Sequence, residues 1–156
     1  MPAATTVNEE TVQTLSIHLE IAIGAPIQIA WEAVLDQLGP KGEMPDGSPF
    51  PFKLEAWPGG RLYRDLGNSA GHLWGFVQVI KPPKLLEIWG PTMMSNAVVN
   101  HMQYRLSEEG SSSTRLKFTH QAIGILSPEH REGLPKGFEF WLKRMKELAE
   151  GRATKR

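Results

Sequence analysis

Residues 134–149, LPKGFEFWLKRMKELA, decide the fold. Leu134, Phe138, Trp141, Leu142, Met145, Leu148 and Ala149 recur at spacings of four, three and one, which is one face of an α-helix. Pro135 suits the first turn, where a proline loses no helical hydrogen bond. Lys136, Lys143 and Glu147 lie on the opposite side, with Phe140 among them. A long amphipathic helix needs a large apolar partner, and nearly everything before it reads as strand. An α+β arrangement, a sheet wrapped around this closing helix, is the simplest way to bury both faces.

The clearest partner is the hairpin NHMQYRLSEEGSSSTRLKFTHQA, residues 100–122. Setting Leu106 opposite Leu116 also sets Tyr104 opposite Phe118, Met102 opposite His120 and Asn100 opposite Ala122. The other face then pairs Arg105 with Lys117 and Gln103 with Thr119. This register separates an inward apolar row from an outward polar one. Upstream, Leu15, Ile17, Leu19, Ile21 and Ile23 alternate as a half-buried strand. Gly24-Ala25-Pro26 breaks it and opens a helix with the stripe Ile27, Ala30, Trp31, Val34, Leu35 and Leu38, stopped by Gly39-Pro40. Residues 39–52 are too rich in Gly and Pro for regular structure, and a loop of this length is usually functional or mobile. Trp57-Pro58-Gly59-Gly60 fits a type II turn. GHLWGFVQVI, residues 71–80, reads as a strand with apolar residues on both parities, so the facing of Trp74 stays open, as does that of Trp89 on the next strand. Ser127-Pro128-Glu129 has the marks of an N-cap and acidic first turn. It predicts a short helix ending near Gly133, ahead of the main one.

A chain of 156 residues supports one ordinary domain. Residues 1–12 read as a flexible tail, 13–150 as the single domain and 151–156 as a basic tail. Seventeen basic and seventeen acidic residues are mixed along the chain, which argues against an electrostatic nucleic-acid binder. Without cysteine there is neither disulfide nor thiolate chemistry. The start lacks the basic and apolar regions of a signal peptide, and no run approaches the roughly 20 apolar residues of a membrane span. A cytoplasmic protein with no membrane insertion is the expectation.

The order strand, helix, six strands, helix now meets a resemblance. The segments IAIGAPIQIAWEAV, the Pro-Gly-Gly hairpin, GFVQVIKPPKLLEIWG, TRLKFTH and GFEFWLKRMKELAEG resemble the START-like, or birch-pollen-allergen-like, superfamily over about residues 14–150. Within it they are most similar to the branch named after the activator of the heat-shock-protein-ninety ATPase. The resemblance implies a helix-grip fold: a curved antiparallel sheet of about seven strands clasping the last helix, with a cavity between. Superfamily members bind or transport lipids, sterols and polyketides, cyclise polyketides, serve as oxygenase subunits or regulate the chaperone. The eukaryotic activator has an additional N-terminal domain without a counterpart here, which lowers the chaperone reading.

The hairpin register places Asn100, Met102, Tyr104, Phe118 and His120 on one cavity wall, with Phe138, Trp141 and Met145 on the facing helix. The polar trio Asn100, Tyr104 and His120 could orient a ligand's carbonyl or hydroxyl, although buried polar residues are more often satisfied by neighbours. Arg64 shares the inward side of Leu62 and could clamp a carboxylate; an arginine reaching solvent at the rim is the commoner arrangement. Trp74 is a candidate pocket aromatic. The Met44–Phe52 and Met93–Met94 loops would form the mouth. No histidine pair has zinc-ligand spacing, glycines 59 and 60 do not make a phosphate loop, and serines 111–113 are a hairpin tip. No catalytic group, metal or cofactor is therefore expected.

These residues lead first to a protein that binds a hydrophobic or amphipathic small molecule. The alternatives are a chaperone-activator-like interaction module, with a chaperone or a second copy as partner, and a cyclase- or hydrolase-type enzyme using the same cavity. An exposed Phe140 would be either a lone surface aromatic or part of a homodimer contact.

Overall fold

The computed structural model describes residues 3–92 and 95–155. The expected order of elements is present: β1 (Gln13–Ile23), α1 (Ile27–Gln37), β2 (Lys53–Leu54), β3 (Arg61–Gly67), β4 (Ala70–Lys81), β5 (Leu85–Gly90), β6 (Val98–Glu108), β7 (Thr114–Gly124) and α2 (Pro128–Ala153). One seven-stranded antiparallel sheet has the order β1-β7-β6-β5-β4-β3-β2. The curved sheet and its long closing helix make an α+β helix-grip arrangement.

The β6–β7 ladder has the register that its alternation requires. Leu106 faces Leu116, Tyr104 faces Phe118, Met102 faces His120 and Asn100 faces Ala122. All eight are buried. The Trp57–Gly60 turn also forms as read: Gly60 N–H donates to Trp57 O at 2.8 Å, and Gly59 sits at φ +83°, where glycine carries no steric penalty.

β4 departs from regular pairing twice. Leu62 pairs with Gly75 and Tyr63 with Leu73, so Trp74 is an extra residue against β3. Val77 pairs with Ile88 and Val79 with Glu87, so Gln78 is an extra residue against β5. Each bulge shifts the inward parity by one. Gly75 and Val77 face the core on odd numbers, whereas Trp74 and Ile80 pack on it from even ones. This is why the strand reads as apolar on both parities. It also settles the tryptophans: Trp74 turns inward, while Trp89 lies 46% exposed on the outer face, 5.7 Å from the Phe76 ring.

The C-terminal helix corrects the reading of its start. Ser127 is the N-cap, its Oγ accepting from His130 N–H at 3.2 Å, and Pro128 opens the first turn. No separate short helix ends at Gly133. One helix runs from Pro128 through Gly133 and Pro135 to Ala153, so residues 151–153, read as tail, are helical. Pro135 cannot donate the bond to Arg131 O, but Leu134 and Phe138 pack on the core at this level. Tertiary packing holds the segment helical where propensity would not.

Phe138, Trp141, Leu142, Met145 and Ala149 form the buried stripe of α2. Phe138 lies 4.7 Å from the Phe118 ring, and Trp141 lies 5.7 Å from Phe52 and 5.9 Å from Trp74. At the far end, Arg152 pairs with Asp36 of α1 and Lys146 Nζ donates to Ala22 O at 2.9 Å.

Phe118 sits between Tyr104 and Phe138 at 1% exposure. Phe118→Ala should therefore cost about 3–5 kcal/mol, the range for a large buried aromatic. Denaturant titration should show a lower midpoint at unchanged slope. A wild-type midpoint would mean that sheet and helix are not joined here.

Candidate functional site

The bulge at Trp74 begins the site. Its backbone carbonyl, displaced from the ladder, accepts from Thr92 N–H at 2.8 Å and Thr92 Oγ1 at 3.3 Å. Its indole enters an aromatic cluster, 5.0 Å from Phe52, 6.3 Å from Phe50 and 5.9 Å from Trp141, with mostly edge-on geometry. Trp74 Nε1 is buried and has no hydrogen-bond partner within the protein.

Beside this cluster lies an open groove of about 570 Å3. The N-terminal half of α2 forms one side, with Gly133, Leu134, Gly137, Phe138, Phe140 and Trp141; Trp74, Phe50, Met44 and Pro45 form the other, and Glu129, His130 and Lys136 also border it. The loop that supplies Met44 and Phe50 is anchored. Glu43 pairs with Arg144 of α2, and Gln37 Nε2 donates to Glu43 O at 3.4 Å.

Deeper in, His120 and Asn100 form a buried polar pair. Asn100 Nδ2 donates to Gly90 O at 3.2 Å and Pro91 O at 2.8 Å. Its Oδ1 is thereby left to face His120 Nε2 at 2.7 Å, which makes Nε2 the protonated nitrogen. Nδ1 is buried without a partner. Burial, with a smaller contribution from His101, lowers the His120 pKa to about 4, so the ring is neutral near pH 7. Tyr104 Oη is also buried and unpartnered, and burial pushes its phenol pKa up.

The candidate residues therefore divide. Asn100, Met102, Tyr104, Phe118 and His120 share the inward wall, and Phe138, Trp141 and Met145 face it from α2. Met102, Tyr104, His120 and Met145 are fully buried, and the Phe138 ring lies 4.9 Å from His120. Side chains fill this part of the expected cavity. Of the ten candidates, Trp74, Phe138 and Trp141 line the open groove. Arg64 does not join them. Its guanidinium stacks on Phe50, 3.6 Å from the ring centroid, and its Nε donates to Pro51 O at 3.2 Å.

The Met44–Phe52 loop does border the groove; Met93 and Met94 lie outside the described residues. Sequence reasoning missed Phe140, Leu134, Gly133 and Gly137 as lining residues. Phe140, read as pointing away from the core stripe, is half-buried and borders the groove. The spacing of Gly133, Gly137, Phe140 and Trp141 was the available signal for a second, groove-facing stripe. Among the described residues, no group of three His, Asp or Glu side chains is placed to hold a metal, and no helix is long and apolar enough to cross a membrane.

No family model matches the chain, and no curated protein sequence matches it. Solved structures do. An uncharacterised protein from Rhizobium leguminosarum superposes with a TM-score of 0.69 at 16% identity, covering 92% of this chain and 99% of its own. A Staphylococcus aureus protein of unknown function gives 0.68 at 12% identity, covering 92% and 98%. An aromatase/cyclase from Streptomyces gives 0.61 at 18% identity, covering 92% and 96%. At these identities the likeness establishes the helix-grip fold that the sequence resemblance implied, and does not distinguish the chaperone-activator branch.

The buried His120 predicts a pH dependence. Its native pKa lies below the value of about 6.5 expected when unfolded. Its contribution to stability is thus complete above about pH 6.5 and is lost as pH falls towards 4. The loss is on the order of 3 kcal/mol. His120→Gln retains an amide donor for Asn100 and removes the titration. Chemical denaturation at a series of pH values should show a shallower decline for this variant than for wild type; parallel curves would place the proton elsewhere.

Proposed function

We propose that the protein binds a hydrophobic or amphipathic small molecule in the groove between α2, Trp74 and the 39–52 loop. The observation that carries this reading is an open groove lined by five aromatic side chains, Phe50, Trp74, Phe138, Phe140 and Trp141. Concave, mostly apolar surfaces with a few polar groups are the usual form of small-molecule sites. Burying about 300 Å2 of apolar ligand surface would contribute roughly 7 kcal/mol. Immobilisation offsets part of this, which puts Kd no tighter than about 10 micromolar. Trp74 Nε1 supplies a polar preference, since a ligand acceptor reaching it would satisfy a buried donor.

The outer sheet face favours a second reading, an interaction module of the chaperone-activator kind. Trp89, Val99 and Ile123 are 46%, 56% and 54% exposed and border one shallow depression there. A chaperone or a second copy would be the partner. In the second-copy version, sedimentation should show self-association that Trp89→Ser with Ile123→Ser abolishes. A wild-type protein that stays monomeric at high concentration would remove this version.

For the groove, titration with 1-anilinonaphthalene-8-sulfonate should enhance dye emission and quench tryptophan, and a long-chain alcohol should displace the dye. Trp74→Phe keeps an aromatic ring but removes the donor. It should weaken ligands carrying a carbonyl or hydroxyl by roughly 3- to 10-fold while leaving plain hydrocarbons nearly unchanged. Absence of dye and alcohol binding to folded protein would refute the groove reading.

A further inference from the structure

β1 is an edge of the sheet, with β7 as its one neighbour. Parity decides which of its backbone groups are used. Just past β7, Ile125 N–H donates to Ala97 O, so odd residues of β7 turn towards β6 and even ones towards β1. Even residues of β7 stand opposite odd residues of β1, as Phe118 does with Leu19. The N–H and C=O groups of Thr14, Ser16, His18, Glu20 and Ala22 therefore point out of the sheet. Two cations of α2 hold the ends of this row: Arg131 Nη2 donates to Thr14 O and Lys146 Nζ to Ala22 O, each at 2.9 Å. Between them, the backbone groups of Ser16, His18 and Glu20 have no hydrogen-bond partner among the described residues.

Sheet edges are commonly guarded by a proline, a bulge, a lysine or extreme shortness. β2, the other edge, has two residues. β1 has eleven, in unbroken register and without proline. Its inward side chains Leu15, Leu19 and Ile21 pack on the core yet stay only half-buried.

We infer that the free stretch Ser16–Glu20 of β1 is the docking edge for a second copy of this chain, whose β1 pairs antiparallel to it about a two-fold axis through His18. The stretch is complementary to itself in that register, which uses all three free residues and neither clamped one. Ser16 lies opposite Glu20 of the second copy and His18 opposite its equivalent, each pair exchanging two backbone hydrogen bonds. On the inner face Leu15 meets Ile21 and Ile17 meets Leu19, so the half-buried apolar side chains are covered by one another. On the outer face each Glu20 carboxylate is diagonal to an imidazole rather than opposite its like. The ladder ends where Arg131 of one copy meets Lys146 of the other, two cations that oppose longer pairing. The chain's own N-terminal segment does not fill the edge: residues 3–12 run on from β1 exposed and irregular, with neither Gly nor Pro to turn them back. Once paired, neither copy has a second long edge, so assembly closes at two. The inference is independent of the groove and of the outer-face contact of Trp89 and Ile123.

Sedimentation equilibrium of the full chain over roughly 0.01–1 mM should show a weak monomer–dimer equilibrium, as suits a small contact. His18→Pro deletes an N–H that β7 does not use, at the kind of edge position where proline is tolerated. It should keep the wild-type circular dichroism and weaken the dimer by at least about tenfold. His18→Ala keeps the N–H and should stay within about threefold of wild type. Trp89→Ser with Ile123→Ser should leave this dimer unchanged. The inference is wrong if wild type remains monomeric throughout, if His18→Pro folds and dimerises as before, if His18→Ala loses the dimer as fully as His18→Pro, or if the outer-face double variant abolishes it.

Cross-linking decides the matter should His18→Pro not fold. The chain has no cysteine, so a single introduced one reports alone. Under mild oxidation His18→Cys should form the disulfide-linked dimer faster than Ser16→Cys, Glu20→Cys or Val99→Cys. A hydrogen-bonded antiparallel pair holds its Cα atoms about 5.5 Å apart, within disulfide range, and only residue 18 faces itself. Equal rates at 16, 18 and 20, or a faster rate at 99, would overturn the pairing.

Discussion

The structure depends on the burial of one helical stripe. Phe138, Trp141, Leu142, Met145 and Ala149 of α2 must leave water, and the inward rows of β6 and β7 provide the surface that receives them. Phe118 against Phe138, at 4.7 Å, is one direct contact of helix with sheet, beside His120 against Phe138 at 4.9 Å and Trp74 against Trp141 at 5.9 Å. Hydrophobic burial on this scale is the main favourable term in folding. It keeps α2 helical across Gly133 and Pro135, where local preference favours a break, and it fixes the sheet's curvature around the helix. The groove exists because the stripe is narrower than the helix: at the N-terminal half, the side bearing Gly133, Gly137 and Phe140 is left beside the sheet's aromatic rim.

Parts of this are legible in the sequence because their periods are regular. β6 and β7 alternate without interruption, so one choice, Leu106 opposite Leu116, fixes every other pair. β4 is not legible in the same way. Its extra residues at Trp74 and Gln78 produce two changes of parity that a period-two reading registers only as ambiguity. The helix start misleads for a related reason. Gly133 and Pro135 are sound stop signals by propensity, and only the packing of Leu134 and Phe138 overrides them.

The site is legible in its chemistry but not in its position. The alternation of β6 and β7 reveals an inward aromatic and polar wall. Whether such a wall faces a lumen or packs solid depends on side-chain volumes across two elements, which no single strand reports. The interior closes at Met102, Tyr104, His120 and Met145, and the accessible apolar surface moves to the rim. The buried Asn100–His120 pair connects to Trp74 through the backbone of residues 90–92. Asn100 holds the carbonyls of Gly90 and Pro91, and the next residue, Thr92, holds the carbonyl of Trp74.

The bulges of β4 also bear on how such a site can be gained and lost. With Trp74 and Gln78 set aside, the strand alternates cleanly: His72, Gly75, Val77 and Ile80 on one side, Leu73, Phe76, Val79 and Lys81 on the other. Trp74 therefore behaves as an insertion that leaves the facing of its neighbours intact. A one-residue deletion there would remove a wall of the groove without throwing the rest of the strand out of frame. Groove wall and scaffold are separable at this point of the chain, because the residue that lines the groove is not one that keeps the ladder in register.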